Sequence, residues 1–273
     1  MKEQVLAADK ATLDGAESRR TAASLAMPRI KPRSLSIALA YRAKRLGQRI
    51  FGPTRMLRFC LNASWLLRRF AFELSSETFG DSFQCTAMAL SEEVLREWIP
   101  VDGSVIDIGC GTGRWSRIAA RYARSVVGID YNAANIEIAR RDSLPPNLEY
   151  LVGDITDQIS HRQFDGALLI HVLEHIDDAD DILETIRGMA PILLVEVPDV
   201  EADCLNLVRR ELGCPYYSDG DHVREYTVAG LQQQLERNGW SIKYLRQHGG
   251  AILAIASRTT SQAVAGRVRL DSD

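Results

Sequence analysis

The stretch Asp107-Ile-Gly-Cys-Gly-Thr-Gly113 follows the apolar run Ser104-Val-Ile and reads as D-x-G-x-G-x-G. A strand that ends in a glycine-rich turn and passes into a helix leaves backbone N–H groups free at the helix N-terminus, here beside a carboxylate. A dinucleotide fingerprint needs glycine at its first, third and sixth positions. This chain supplies Gly109 and Gly111 but carries Arg114 at the sixth, which argues against tight helix packing there. Asp107 at the strand end would repel a diphosphate and attract a cationic amine. The turn therefore suits a ligand with an ammonium group and no phosphate. Histidines are the other chemistry-bearing residues. The chain has five, and three cluster in two motifs, His171-Val-Leu-Glu-His175 and Asp221-His-Val-Arg-Glu-Tyr-Thr227.

These motifs need elements that bring them to one edge. The apolar run Ser125-Val-Val-Gly-Ile ends at Asp130, 21 residues beyond Gly109; Leu148-Glu-Tyr-Leu-Val ends in Gly153-Asp154; and Gly166-Ala-Leu-Leu-Ile opens into His171. Further strands are predicted at Pro191 to Val197, Trp240 to Leu245 and Ala251 to Ala256. Helical patterns alternate with them: Trp115, Ile118, Ala119 and Tyr122 share a face, and a helix capped by Thr227 buries Leu231 and Leu235 and stops at Asn238-Gly239. This alternation predicts an α/β fold, a doubly wound parallel sheet covered by helices on both faces. Ligands of such sheets bind outside the carboxyl ends of the strands, where all the motifs fall.

S-adenosylmethionine combines an amino-acid end with a sulfonium, a ribose and an adenine, and matches the ligand that the turn implies. Over residues 85 to 257 the chain resembles the class I S-adenosylmethionine-dependent methyltransferases. The resemblance implies a seven-stranded, mostly parallel Rossmann-like sheet with an antiparallel last strand. It also implies a cofactor site built from Asp107, Gly109, Cys110, Gly111, Gly113, Asp130, Tyr131, Asp154, Ile155 and His171. In that site Asp130 would accept the ribose hydroxyls, Asp154 would face the adenine amino group, and His171 would lie near the sulfur. Cys110 is expected as a small side chain rather than a reactive thiol. S-adenosylhomocysteine would be the product.

His222, His171 and His175 are the candidate catalytic residues. The segment around His222 is similar to the H-x-R-x-[FY]-T element of small-molecule and glycan methyltransferases, where a base or orienting partner faces the acceptor cleft. A structural cap is the other reading of His222, and also of Glu174 and His175. No metal is assigned. His171 to His175 also matches H-x-x-E-H, a zinc-protease signature, but begins at a strand end rather than on a continuous helix. Some resembling quinone-pathway and RNA-end methyltransferases do use this segment for a divalent ion. The expected function is O-methylation of a small-molecule or glycan acceptor, with a sugar hydroxyl of a surface glycan or lipo-oligosaccharide leading. A quinone-type ring, RNA, or a non-catalytic scaffold role are the alternatives. The Pro198 to Asp221 insertion, with Tyr216-Tyr217, is expected to cover the acceptor.

The net charge of −3 hides a division. Residues 31 to 72 hold ten Lys or Arg and no Asp or Glu, whereas residues 73 to 273 hold 18 basic and 32 acidic side chains. The basic part also carries Leu46, Ile50, Phe51, Met56, Leu57, Phe59, Leu61, Trp65, Leu66, Leu67, Phe70 and Phe72. It reads as amphipathic helices near 35 to 49 and 54 to 73 that form a lid, a peripheral membrane contact, or less readily a nucleic-acid contact. Its uncharged run from Phe59 to Leu67 is too short to span a bilayer. The expected organisation is a mobile tail over 1–30, a helical extension over 31–84, a catalytic domain over 85–257 and a mobile tail over 258–273. Five cysteines without a C-x-x-C pair suggest neither a disulfide framework nor a zinc ribbon. With no secretory signal visible, a cytoplasmic setting is expected, including the inner membrane face.

Overall fold

Strands β1 (Ser104–Ile108), β4 (Gly166–Ile170) and β5 (Ile192–Pro198) are buried almost throughout their length, so both faces of the sheet must be covered. Period-2 alternation divides them between two cores. Ile106, Ile108, Leu169 and Val195 point to one, while Val105, Leu168, Ile170 and Leu194 point to the other. The computed structural model describes residues 35–79, 88–259 apart from 142, 160 and 218, and 269–271. The expected tail over 1–30 lies outside these residues.

The N-terminal elements are α1 (Leu35–Phe51), α2 (Pro53–Phe79) and α3 (Glu92–Trp98). After β1 follow α4 (Arg114–Ala119), β2 (Ser125–Asp130), α5 (Ala133–Ala139), β3 (Leu148–Val152) and α6 (Ile155–Gln158). Beyond β4 come α7 (Ala179–Met189), β5, α8 (Cys204–Glu211), α9 (Val228–Arg237), β6 (Trp240–His248), β7 (Ala251–Arg258) and β8 (Arg269–Asp271). Among the described residues, those through Leu57 fall in one compact unit and those from Arg58 in a second.

Sheet order is β3-β2-β1-β4-β5-β7-β6-β8. The five strands β1 to β5 are parallel, and β7 is antiparallel to β5 and β6. Crossovers from β1 run outward in opposite directions, making the β1–β4 pair the topological switch point where a crevice opens at the carboxyl ends. All seven expected strands are present. An eighth is added: Arg269–Asp271, assigned from sequence to the 258–273 tail, pairs in parallel with Tyr244–Arg246 of β6, satisfying part of an otherwise open edge. Helix α4 is shorter than its apolar face suggested, ending at Ala119, and Tyr122 beyond it hydrogen-bonds Glu92 at 2.6 Å. Thr227 caps α9 through the Gly230 N–H at 3.0 Å, and Leu231 and Leu235 are buried. Among the described residues no helix is long and apolar enough to cross a membrane.

Candidate active site

The glycine turn is held by β2. Gly109 and Cys110 donate their N–H groups to the Ile129 carbonyl at 2.8 and 3.1 Å, and Gly111 donates to Asp130 Oδ2 at 2.8 Å. All three glycines have positive φ: +67° at Gly109, +53° at Gly111 and +85° at Gly113. Their surroundings differ. A Cβ on Gly109 would lie 2.4 Å from Val172, and one on Gly113 would lie 2.0 Å from the Tyr150 hydroxyl. At Gly111 nothing stands within 4 Å. The outer two glycines are thus required by packing, and the middle one leaves open space over the backbone where a ligand can approach.

Asp107 is buried under this turn and accepts a 2.5 Å hydrogen bond from Ser116. Burial, against the Ser116 bond, pushes its pKa up to about 7, so a nearby ligand cation would favour its ionised form. Asp130, also buried, spends its second oxygen on the Asn132 N–H at 2.8 Å. Tyr131 is 85% exposed at the end of β2, and Asp154 is exposed at the end of β3. Ile155 belongs to the core, so only its backbone can face a ligand. Burial pushes the Cys110 thiol upward, in keeping with an inert small side chain. The four described cysteines, Cys60, Cys110, Cys204 and Cys214, are free.

His171 ends β4 in a left-handed conformation at φ +54°. Its backbone N–H donates to the Glu196 carbonyl at 2.9 Å, and its ring lies between two carboxylates: Nε2 is 3.0 Å from Glu196 Oε1, and Nδ1 is 3.3 Å from Glu174 Oε1. Burial opposes the charged ring, but the hydrogen bonds that it donates toward Glu174 and Glu196 prevail and push its pKa up to about 10. The two carboxylates thus favour the charged form of the His171 ring. A ring held in this way is suited to orient and neutralise more than to take up a proton.

Glu196 was not singled out from sequence. It is fully buried in β5, and its other oxygen accepts the Leu90 N–H. The available signal was a lone carboxylate in the apolar run Ile-Leu-Leu-Val-Glu-Val-Pro198.

His222 presents the opposite case. Its side chain is 5% exposed, and Nδ1 lies 3.0 Å from Glu225 Oε1, itself 3% exposed. Burial lowers its pKa, but Glu225 outweighs this and the net shift is upward. A carboxylate beside Nδ1 favours the tautomer that carries its proton there, the pairing that an acid–base histidine requires. His175 meets His222 edge-on at 4.7 Å between ring centroids, and its Nδ1 is 3.4 Å from Asp221. Glu174, His175 and His222 bring one ligand atom each within 4.8 Å of one another, a grouping of the right chemistry for a cation although none had been assigned.

His171 and His222 open onto a cavity of about 530 Å³. Its walls come from α2 (Trp65, Arg68, Arg69, Phe72), from the end of β5 and α8 (Asp199, Asp203, Asn206, Arg209) and from the loop carrying Tyr216, Tyr217 and Asp219. The second half of α2 is fixed in place. Trp65 Nε1 donates to the Tyr217 carbonyl at 3.0 Å, Arg68 pairs with Asp203, and Arg69 pairs with Asp219 at 2.7 Å. Arg209, buried, bridges Asp203 at 3.1 Å, Asn206 at 2.8 Å and Ser64 at 2.9 Å. Tyr216 and Tyr217 stack at 4.8 Å. From Arg58 onward, then, the basic segment packs against the walls of this cavity.

A methyltransferase-domain family model matches residues 84–245. The ubiquinone biosynthesis O-methyltransferase of Schizosaccharomyces pombe is 35% identical over 104 residues, 36% of this chain and 38% of that protein. The corresponding enzyme of Chelativorans sp. is 37% identical over 96 residues, 33% of this chain and 37% of that protein. The chain thus spans about two-fifths of the length of these relatives. Among solved structures, the DhpI–SAH complex shares the fold at a TM-score of 0.51 and 21% identity, over 74% of this chain and 97% of the other. Strand order, glycine turn and family match agree, and the chain belongs to the methyltransferase-domain family of class I S-adenosylmethionine-dependent methyltransferases.

Proposed function

We propose that the protein is an O-methyltransferase that moves a methyl group from S-adenosylmethionine to a hydroxyl of a ring-shaped polar acceptor, with a sugar hydroxyl leading. The observation that carries this reading is the His222–Glu225 pair on the wall of a cavity lined by both aromatic and charged side chains. S-adenosylmethionine, when bound, supplies an activated methyl on a good leaving group. The residues that fit it are the open turn at Gly111, Asp130 at the β2 end, the buried Asp107, and the His171 cluster, whose two carboxylates exceed its one imidazolium by one negative charge. Such an edge favours a sulfonium and an ammonium over a phosphate.

The remaining work belongs to the chain. The cavity must hold the acceptor hydroxyl in line with the methyl, which by positioning alone lowers the barrier by several kcal/mol. Tyr216, Tyr217 and Trp65 offer flat faces for a ring, and Asp199, Asn206 and Arg209 offer hydrogen-bond partners for its substituents. As the hydroxyl loses its proton, His222 Nε2 receives it while Glu225 balances the charge on the ring.

A phenolic ring of the quinone type is a second reading, favoured by the relatives named ubiquinone biosynthesis O-methyltransferases and by the Glu174–His175–His222 grouping, which could hold a divalent ion against adjacent oxygens. Labelled S-adenosylmethionine, incubated with the protein and with glycan, phenolic and RNA pools in the presence of either a divalent ion or a chelator, separates the readings. Chelator-resistant label in the glycan pool supports the sugar acceptor, and chelator-sensitive label in the phenolic pool supports the second reading. Label confined to RNA, or in none of the pools, refutes both.

A further inference from the structure

Helix α2 has two faces with different surroundings. Leu61 is buried, and Ser64, Trp65, Arg68 and Arg69 are bonded to the elements around the cavity. On the other side Phe59, Leu66, Leu67, Phe70 and Leu74 follow one another at i, i+7, i+8, i+11 and i+15, one stripe of a helix. They are 43–66% exposed. Helix α1, taken by itself, repeats the pattern. Leu39, Leu46 and Ile50 share a stripe and are 59–68% exposed, and Arg42, Arg45 and Arg49 run along its flank. A helix of a globular domain normally buries such a stripe, and continuous exposed apolar surface marks a binding face.

Charge decides between occupants. Residues 31 to 72 hold no carboxylate; Arg68 and Arg69 pair with Asp203 and Asp219, and the cations that remain, Arg42, Lys44, Arg45, Arg49, Arg55 and Arg58 among them, favour a negative partner. A second copy of the same face would bring cation against cation. A nucleic acid would satisfy the charge, but it offers nothing to rows of leucine, which cannot stack on bases as aromatic rings do. An anionic bilayer satisfies both requirements, with headgroups for the arginines and acyl chains for the leucines and phenylalanines.

We propose that the apolar stripe of α2 is a docking surface for an anionic lipid bilayer, and that the cationic α1, taken by itself, is another, each lying in the interface without crossing it. The opposite face of α2 lines the acceptor cavity, so docking holds the helix between lipid and acceptor. That last consequence rests on the acceptor reading above. The surface itself does not, and its test reads no methyl transfer.

The full chain is floated with vesicles of phosphatidylcholine alone and of phosphatidylcholine mixed with phosphatidylglycerol. Binding is expected to the mixed vesicles only, and to weaken with salt. Neutralising Arg42, Arg45 and Arg49 together to Gln should reduce partitioning by about fivefold per residue, about a hundredfold in all. The double variant Leu67→Gln/Phe70→Gln should also release the protein. Both sets of side chains are exposed, and thermal melts check that the variants fold; the arginine variant keeps the test alive if the other does not. Equal binding to neutral vesicles, no binding to anionic ones, or binding unchanged by the arginine variant overturns the proposal. It is likewise overturned by a dimer in sedimentation that Leu67→Gln/Phe70→Gln dissociates, or by a salt-sensitive RNA shift, if either occurs without vesicle binding.

Discussion

Alanine at Gly111 and alanine at Gly113 should produce opposite phenotypes, although only Thr112 separates them. At Gly111 a Cβ meets nothing within 4 Å, and the cost to the free protein is the left-handed backbone at φ +53°, about 1–2 kcal/mol for a non-glycine residue. For a domain of this size that corresponds to a fall in Tm of roughly 2–8 °C. At Gly113 the same backbone term applies at φ +85°, and the Cβ also lies 2.0 Å from the Tyr150 hydroxyl and 2.6 Å from its Cζ. Tyr150 is buried, and its hydroxyl donates to the Gly113 carbonyl at 3.0 Å, so it cannot swing aside without losing that bond. Overpacking adds about 1–3 kcal/mol, for a total of roughly 2–5. In binding the order reverses. The methyl of Gly111→Ala would stand in the open space over the turn proposed for the cofactor, and affinity for S-adenosylmethionine should fall at least about tenfold, equivalent to roughly 1.4 kcal/mol. Thermal melts without ligand and titration calorimetry with S-adenosylmethionine measure both quantities. A folded Gly111→Ala protein that binds S-adenosylmethionine as tightly as the wild type, or that is less stable than Gly113→Ala, would refute the reasoning.

Asp130→Ala removes the carboxylate that holds the Gly111 and Asn132 N–H groups, and should weaken S-adenosylmethionine binding by roughly 1–3 kcal/mol in calorimetry; undiminished affinity would count against the turn as the cofactor site. His222→Ala should lower kcat by about 10²- to 10⁴-fold while cofactor affinity is unchanged, and a variant with normal kcat would return His222 to a structural cap. For His171 the sign of the pH effect follows from its raised pKa: burial works against the charge, Glu174 and Glu196 prevail, and the folded pKa is about 10 against 6.5 ordinarily. Its stabilising contribution is complete below the ordinary value and is lost as pH rises toward 10, so Tm should decline over that range more in the wild type than in His171→Gln. Parallel profiles would show that the two carboxylates do not hold the ring charged.

Much of the catalytic edge was legible because short-range rules write it. Gly109, Gly111 and Gly113 declare a turn with positive φ, Asp130 and His171 stand where apolar runs stop, and Thr227 announces α9. What the local pattern could not convey is which groups meet across the sheet. His171 resembles His222 in sequence, and only the approach of Glu174 and Glu196 to one ring and of Glu225 to the other separates a fixed imidazolium from a base. The place of α2 beside the cavity depended in the same way on partners about 135 to 152 residues away, Asp203, Tyr217 and Asp219, which no periodicity connects to Trp65, Arg68 and Arg69. Strand β8 escaped notice because three residues, Arg269–Asp271, carry too short a pattern to be read.

Glu196 explains why charge at the β4 and β5 ends can be both buried and useful. A carboxylate in the middle of an apolar strand is costly unless each oxygen is engaged, and here one takes the His171 ring and the other the Leu90 N–H just before α3. The same residue thereby ties the segment entering the catalytic unit to the histidine at the switch point, whose backbone it also receives through its carbonyl. Glu174 completes the enclosure but makes no hydrogen bond through its carboxylate among the described residues beyond its 3.3 Å approach to His171. An imidazolium facing two carboxylates leaves this buried cluster short of one positive charge. A phosphate would worsen that imbalance and a sulfonium would relieve it, so a cationic methyl donor bound at this edge would be favoured by the β4 and β5 ends as well as by the glycine turn.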